Sequence, residues 1–169
     1  MDELAAYADG LRGDGHSVEI VSAGGTNTYD MTGADRRVTE LQAGTYVVMD
    51  AAYAPLAPAF RTALTVTATV VSRRGGTAVL DCGTKAIAVD AAPPVPPCGT
   101  LREVHEEHTL LDVADGGPPA IGDVLELVVG YCGGTINLHD VYFVASGDEI
   151  VDVWPISARG PGWMRALPV

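Results

Sequence analysis

The stretch LTVTATVVSRRGGTAVLD, residues 64–81, decides the fold. Leu64, Val66, Ala68 and Val70 alternate with Thr65, Thr67 and Thr69, the period of two expected of a half-buried strand. Arg73-Arg74-Gly75-Gly76 then turns the chain into Thr77 to Asp81, which predicts a hairpin. Downstream, the same signals predict strands at Thr84 to Val89, His108 to Val113, Val124 to Val129, Val141 to Ala145 and Ile150 to Ile156. Gly116-Gly117-Pro118-Pro119 and Ser146-Gly147-Asp148 mark turns between them. The run Ala91 to Gly99 carries four prolines, too many for a central strand. Strands of this number and spacing, with almost no helical period, predict a small β-barrel or sandwich.

Upstream the period changes. Leu4, Tyr7, Ala8 and Leu11 fall at helical spacing between Asp2 and Arg12, and Gly13 and Gly15 end the run. Val18 to Val21 reads as a buried strand and Val38 to Leu41 as a second. Two glycine-rich segments, VSAGGTNTY at 21–29 and ELQAGTYVVMD at 40–50, flank a short helical stretch. Their small residues let backbone N–H groups approach an anion, so together they read as a divided cradle for a phosphate group and raise the question of a bound cofactor. Both segments also have the composition of tight turns. Two strands cannot close a barrel, so residues 1–50 read as the C-terminal remnant of a (β/α) barrel. The Pro/Ala-rich passage Ala51 to Phe60 reads as a linker, opening a β domain over 51–169. The fold class is therefore mainly β, a β-barrel or sandwich domain preceded by that remnant.

A net charge of −12 leaves no basic stripe to neutralise a nucleic-acid backbone, which argues against nucleic acid as a partner. No apolar run reaches the roughly 20 residues of a membrane helix, and the N-terminus opens on Asp2 and Glu3 rather than a basic leader. The expectation is a soluble, cytoplasmic protein without a membrane partner. Cys82, Cys98 and Cys132 are widely spaced and read as reduced, mostly buried thiols. Lys85 is the single lysine, so chemistry that needs a lysine amine must use it or obtain one elsewhere.

Six segments in order, VSAGGTNTYD (21–30), TELQAGTYVVMDAAYA (39–54), VVSRRGGTAVLDCGTKAIAVD (70–90), EEHTLL (106–111), GDVLELVVGYCGGTINLHDVYFV (122–144) and VDVWPISARG (151–160), carry a resemblance. The chain resembles, from about residue 17 to Gly160, the C-terminal portion of the D-threonine aldolase and D-serine dehydratase family. Its members are alanine-racemase-like, fold type III pyridoxal-phosphate enzymes with an N-terminal (β/α) barrel and a C-terminal β domain. The resemblance implies pyridoxal phosphate as cofactor. It makes Ser22, Gly24, Gly25 and Thr26, with Gln42, Ala43, Gly44, Thr45 and Tyr46, the phosphate-binding elements; Tyr46 faces the cofactor or is a core aromatic.

Two departures follow. The family's cofactor-bearing lysine lies near the start of its barrel, upstream of Met1, and Lys85 stands in a segment unrelated to it. The family's divalent metal is held by a histidine and, two residues on, a cysteine or aspartate. Aligned on Thr135 and Asn137, those positions are Tyr131 and Gly133, so no metal ligand is assigned and a divalent metal is doubtful. In an extended run Cys132 would point away from Tyr131. A substitute site from Cys132, His139 and Asp140 has the right residue types but no known spacing, and His139-Asp140 reads as a surface or interface pair. The β domain of relatives abuts the partner subunit's barrel, which makes Tyr131 a candidate catalytic group in trans. His108, with Glu106 and Glu107, is a second candidate or a solvated strand edge. His16 and His105 read as surface residues.

The resemblance thus implies a fragment of a pyridoxal-phosphate-dependent lyase or aldolase acting on D-amino acids or D-3-hydroxy amino acids, inactive alone. It would work as a homodimer or with a missing barrel chain. The alternative is a non-catalytic β domain or the complementing subunit of a split enzyme. A generic small-molecule-binding β-barrel is a third reading.

Overall fold

The computed structural model of the chain describes residues 1–160; residues 161–169, which the sequence places in the β domain, lie outside the described residues. Contacts separate two compact units, Met1–Met49 with Tyr53–Arg61, and Asp50–Ala52 with the chain from Thr62 onward. Among the described residues nine strands stand against three helices, and the class is mainly β.

In the first unit, helix α1 (Asp2–Gly13) has acidic Asp2 and Glu3 in its first turn and Arg12 in its last, matching the charges of the helix ends. Ala5 and Ala8 are buried while Tyr7 and Leu11 stand exposed. The expected buried strand Val18 to Val21 is corrected. Ile20 is 67% exposed, only Val21 is buried, and strand β1 is Ser22–Ala23. The second expected strand shortens to β2, Glu40–Leu41, parallel to β1 with Ser22 opposite Glu40. The cause is a lack of neighbours: each strand has one partner, whereas a parallel strand buried on both faces needs a sheet around it. Val21 N–H donates to the Thr39 hydroxyl (2.8 Å) instead of a carbonyl. Helix α2 (Tyr29–Ala34) lies between the two strands in sequence, where a short helical stretch was expected. The passage expected as a linker is a packed series of turns over 53–60. Tyr53 O accepts from Leu56 and Ala57, Ala57 is fully buried, and the Phe60 ring meets Tyr29 and Tyr46 at centroid distances of 5.0 and 5.5 Å.

The second unit is built on strands β3 (Thr65–Arg74), β4 (Thr77–Leu80), β5 (Thr100–Val104), β6 (Thr109–Asp112) and β7 (Val124–Val128). They form one antiparallel sheet in the order β5-β6-β4-β3-β7. The ten-residue β3 serves two neighbours in succession, β7 along Thr65 to Thr69 and β4 from Val70 onward, with a bulge between Val70 and Ser72. Such a bulge bends the strand and adds twist, so the sheet curls. Ala68, Val70, Ala78, Leu80, Leu111, Leu125 and Leu127 form its core, with Ile87 and Val129. Burying each of the larger aliphatic side chains contributes about 2 kcal/mol. The β3–β4 hairpin, β6 and β7 stand where the alternation put them. Strands β8 (Val141–Ser146) and β9 (Glu149–Pro155) also form as expected, but as a separate two-stranded sheet with Phe143, Ile150, Val153 and Trp154 exposed.

Two expectations fail here. Residues 84–89 form a turn, not a strand. Thr84 and Lys85 N–H groups donate to His105 and Glu106 carbonyls (2.8 and 3.1 Å), while Ala86 and Ile87 fold back onto Gly83 O. The extended run on which Cys132 would point away from Tyr131 does not form either: residues 132–137 make helix α3 (Cys132–Asn137). At the end of β7, a Cβ built on Gly130 would lie 1.9 Å from Ala92 O, so only glycine admits the proline-rich segment there.

Candidate functional site

The parallel pairing of β1 and β2 sends both glycine segments off the same ends of their strands. Each leads into a single 3-10 turn, Thr26–Thr28 after β1 and Thr45–Val47 after β2. The structure brings the two loops together: Tyr46 N–H donates to the Thr26 hydroxyl (3.0 Å), and Thr26 is buried. The Ser22 hydroxyl donates to Glu40 (2.5 Å), and Gly25 N–H to the Thr28 hydroxyl (3.1 Å). Gly24 has φ of +77°, and a Cβ there would stand 2.8 Å from the Thr32 hydroxyl, so both backbone and packing demand glycine. Gln42 and Gly44 are exposed, and Ala43 and Thr45 half-buried. Tyr46 is 45% exposed with its ring tilted against Phe60. The first N–H groups of a helical turn have no acceptor within that turn. Two such turns side by side, preceded by glycines, can receive an anion. Between them in sequence, Arg37 hydrogen-bonds Asp35 and Asp2, and its guanidinium holds the Asp35 carboxyl well below the usual carboxylate range.

The other candidates belong to the second unit. Tyr131 is half-buried at the N-cap of α3, its ring folded back over the first turn. A Cβ on Gly133 would stand 3.0 Å from the phenol oxygen, and one on Gly134 would be 3.4 Å from Tyr131 Cδ1. Cys132 opens α3, so the extended geometry that would turn it away from Tyr131 does not apply.

His108 is exposed, and its carbonyl accepts from His105 N–H (2.8 Å) at the β5–β6 turn. Glu107 pairs with Lys85, and His105 with Glu103 (3.0 Å). The Glu106-Glu107-His108 run therefore lies on a solvated hairpin end that supports the 84–87 turn. His139 and Asp140 do not pair with each other. His139 Nε2 lies 2.7 Å from Ala86 O, and Asp140 pairs with Arg159. Among the described residues no three His, Cys, Asp or Glu side chains gather as a metal site would require.

Burial, with the Asp81 charge added, pushes the Cys82 thiol up to about 11, so it stays protonated and inert. Burial, with Cys132 nearby, also raises the Tyr142 phenol.

Sequence reasoning missed two features. Asp50 is fully buried and its carboxylate accepts from Cys132 N–H (2.9 Å), capping α3. An acidic residue closing the apolar run Val47-Val48-Met49 was the available signal. A cavity of about 490 Å³, in the range of small-molecule sites, is lined by Thr67, Glu126, Ile136, His139, Tyr142 and Phe143 among others. It is formed by residues from five separate segments, which no motif announces.

A family model described as "Putative serine dehydratase domain" matches residues 63–145. A D-threonine aldolase of Arthrobacter sp is 36% identical over 167 residues, covering 92% of this chain and 44% of the relative. A 3-hydroxy-D-aspartate aldolase of Paracoccus denitrificans (strain Pd 1222) is 34% identical, with 95% of this chain and 45% of the relative covered. The crystal structure of D-threonine aldolase from Filomicrobium marinum superposes with a TM-score of 0.86 at 32% identity, over 94% of this chain and 46% of that one. The chain spans less than half the length of these relatives. With the fold, the segment order and these matches in agreement, the chain belongs to the D-threonine aldolase and D-serine dehydratase family and corresponds to the C-terminal portion of its members.

Proposed function

We propose that this chain is part of a pyridoxal-phosphate-dependent lyase or aldolase acting on D-amino acids or D-3-hydroxy amino acids, that it is inactive alone, and that its 22–26 and 42–46 loops hold the cofactor phosphate. The observation that supports this most is the bond from Tyr46 N–H to the Thr26 hydroxyl, which joins two glycine loops leaving parallel strands. In this reading the N–H groups at the start of the 26–28 and 45–47 turns, other than that of Tyr46, bind the phosphate. Gly24, Gly25 and Gly44 keep side chains out of its way, and Thr26 holds the two loops in register. The Phe60 ring fixes Tyr46 and Tyr29 at the edge of the loops. Pyridoxal phosphate, when bound, supplies an electron sink for the pair left behind as a bond at Cα breaks. Tyr131 and His108 are the proposed proton-handling groups, with Tyr131 serving a partner subunit's site in a homodimer. The reading places the protein in the cytoplasm.

The test is calorimetric titration of the purified chain with pyridoxal phosphate, wild type against Gly44→Asp. A Cβ at Gly44 meets open space and its φ is negative, so the substitution leaves the fold intact while setting a carboxylate in the cradle. Binding should weaken by about tenfold or more, equivalent to at least ~1.4 kcal/mol. Equal affinity in the two proteins would count against the cradle.

A second reading is a non-catalytic β domain or the complementing subunit of a split enzyme. The encoding DNA immediately upstream distinguishes the two. An in-frame barrel with a lysine supports one polypeptide, and a separate gene for it supports the split enzyme.

A further inference from the structure

The family resemblance implies a divalent metal held by side chains at positions 131 and 133, and the residues present do not fit one. Gly133 has no donor, and a neutral phenol is a poor ligand. Of the nearby ligand types, Cys132 is buried, His139 sits on Ala86 O, and Asp140 pairs with Arg159.

The space over Gly133 is also taken. A Cβ there would lie 3.0 Å from the Tyr131 hydroxyl oxygen, 3.1 Å from Cζ and 3.3 Å from Cε1, so the whole edge of the ring faces it. Gly134 is closed off on its other side by Ala88 Cβ at 2.8 Å and Asp90 Oδ1 at 3.2 Å from a built Cβ. The ring therefore lies against the first turn of α3, beside Gly133 and Gly134. A side chain at 133 long enough to ligate a metal has to displace the phenol.

We propose that Tyr131 and Gly133 form one coupled replacement: the phenol folds over the first turn of α3 into the volume a ligand at 133 would use, so this turn binds no divalent metal and presents a hydroxyl instead. A hydroxyl donates or accepts a hydrogen bond, but it does not polarise a substrate oxygen as a Lewis acid does. The inference rests on the α3 turn alone and stands apart from the phosphate cradle.

Two measurements on the full chain test it. Native mass spectrometry after equilibration with zinc or manganese should find no stoichiometric metal on the wild type; a stoichiometric ion overturns the proposal. A thermal-denaturation cycle tests the coupling without any ligand. Gly133→Ala should lower the melting temperature by a few degrees when Tyr131 is present. In a Tyr131→Ala background it should leave the temperature unchanged or raise it, because alanine is the better helix former. Equal shifts in the two backgrounds overturn the coupling. Gly133→Ala adds a single methyl in either background, and each background serves as its own reference, so the cycle remains readable.

Discussion

Of the three Gly-Gly-Thr tripeptides, those at 24–26 and 133–135 share one function and differ in another. In each the threonine is buried, at 3% and 1% exposure, and its hydroxyl accepts a distant N–H: Tyr46 in the first, Ala88 in the second. Both are ties that hold a neighbouring segment. They part at the start of the helical turn that each one adjoins or enters. At α3 the first N–H is taken by the buried carboxylate of Asp50, an anion the protein supplies itself. After β1 the turn begins between exposed Gly24 and exposed Asn27, where the proposed phosphate would bind. The same local sequence serves as an internal joint or as a candidate anion site according to whether a carboxylate reaches its first N–H groups.

The largest expected effect on this comparison comes from Gly24→Ala. A non-glycine residue at φ of +77° is strained, and its Cβ would collide with Thr32, so unfolding in urea should show a loss of about 3 kcal/mol. A loss below about 1 kcal/mol would mean the first loop tolerates another conformation. Asp50→Ala comes next. It removes a charged acceptor from a buried N–H and should cost about 2 kcal/mol, with Asp50→Asn recovering part of it through its remaining carbonyl oxygen. If Asp50→Ala were neutral, the internal anion would not be what distinguishes the second copy.

Thr135→Val should cost about 1.5 kcal/mol and Thr26→Val about 0.5–1 kcal/mol, because exposed Tyr46 leaves its N–H nearer to water. Equal costs in denaturant titrations would erase that difference. The third copy, Gly75-Gly76-Thr77, sharpens the contrast with the smallest effect. Thr77 sits at the hairpin end opposite Arg74 and Asp112, and Thr77→Ala should change stability by about 0.5 kcal/mol.

Much of the second unit was legible because its signals are local. The β3–β4 hairpin announced itself through alternating threonines and a Gly75-Gly76 turn, and β6 to β9 through similar short runs. Strand β5 was not seen, since Arg102 and Glu103 interrupt its apolar pattern; it is held by pairing with β6 and by the Arg102–Asp112 ion pair. Residues 84–89 carried the right residues for a strand, yet their donors go to the carbonyls of His105 and Glu106. Helix α3 was illegible because two glycines disfavour a helix by about 1 kcal/mol each, and its cap lies far away in sequence. At the candidate site the two glycine loops were legible as a pair. The bond that joins them was not, because nothing in a threonine says where its hydroxyl will bond.

The sequence by itself determined the mainly β class, the hairpins and the family, because alternation, turn residues and segment order are properties of neighbouring residues. Only the tertiary structure decided what each Gly-Gly-Thr became. Its partners, Tyr46 20 residues from Thr26, Ala88 47 from Thr135 and Asp50 82 from Cys132, are too far along the chain for any local pattern to report. A backbone N–H takes whichever acceptor folding brings within reach.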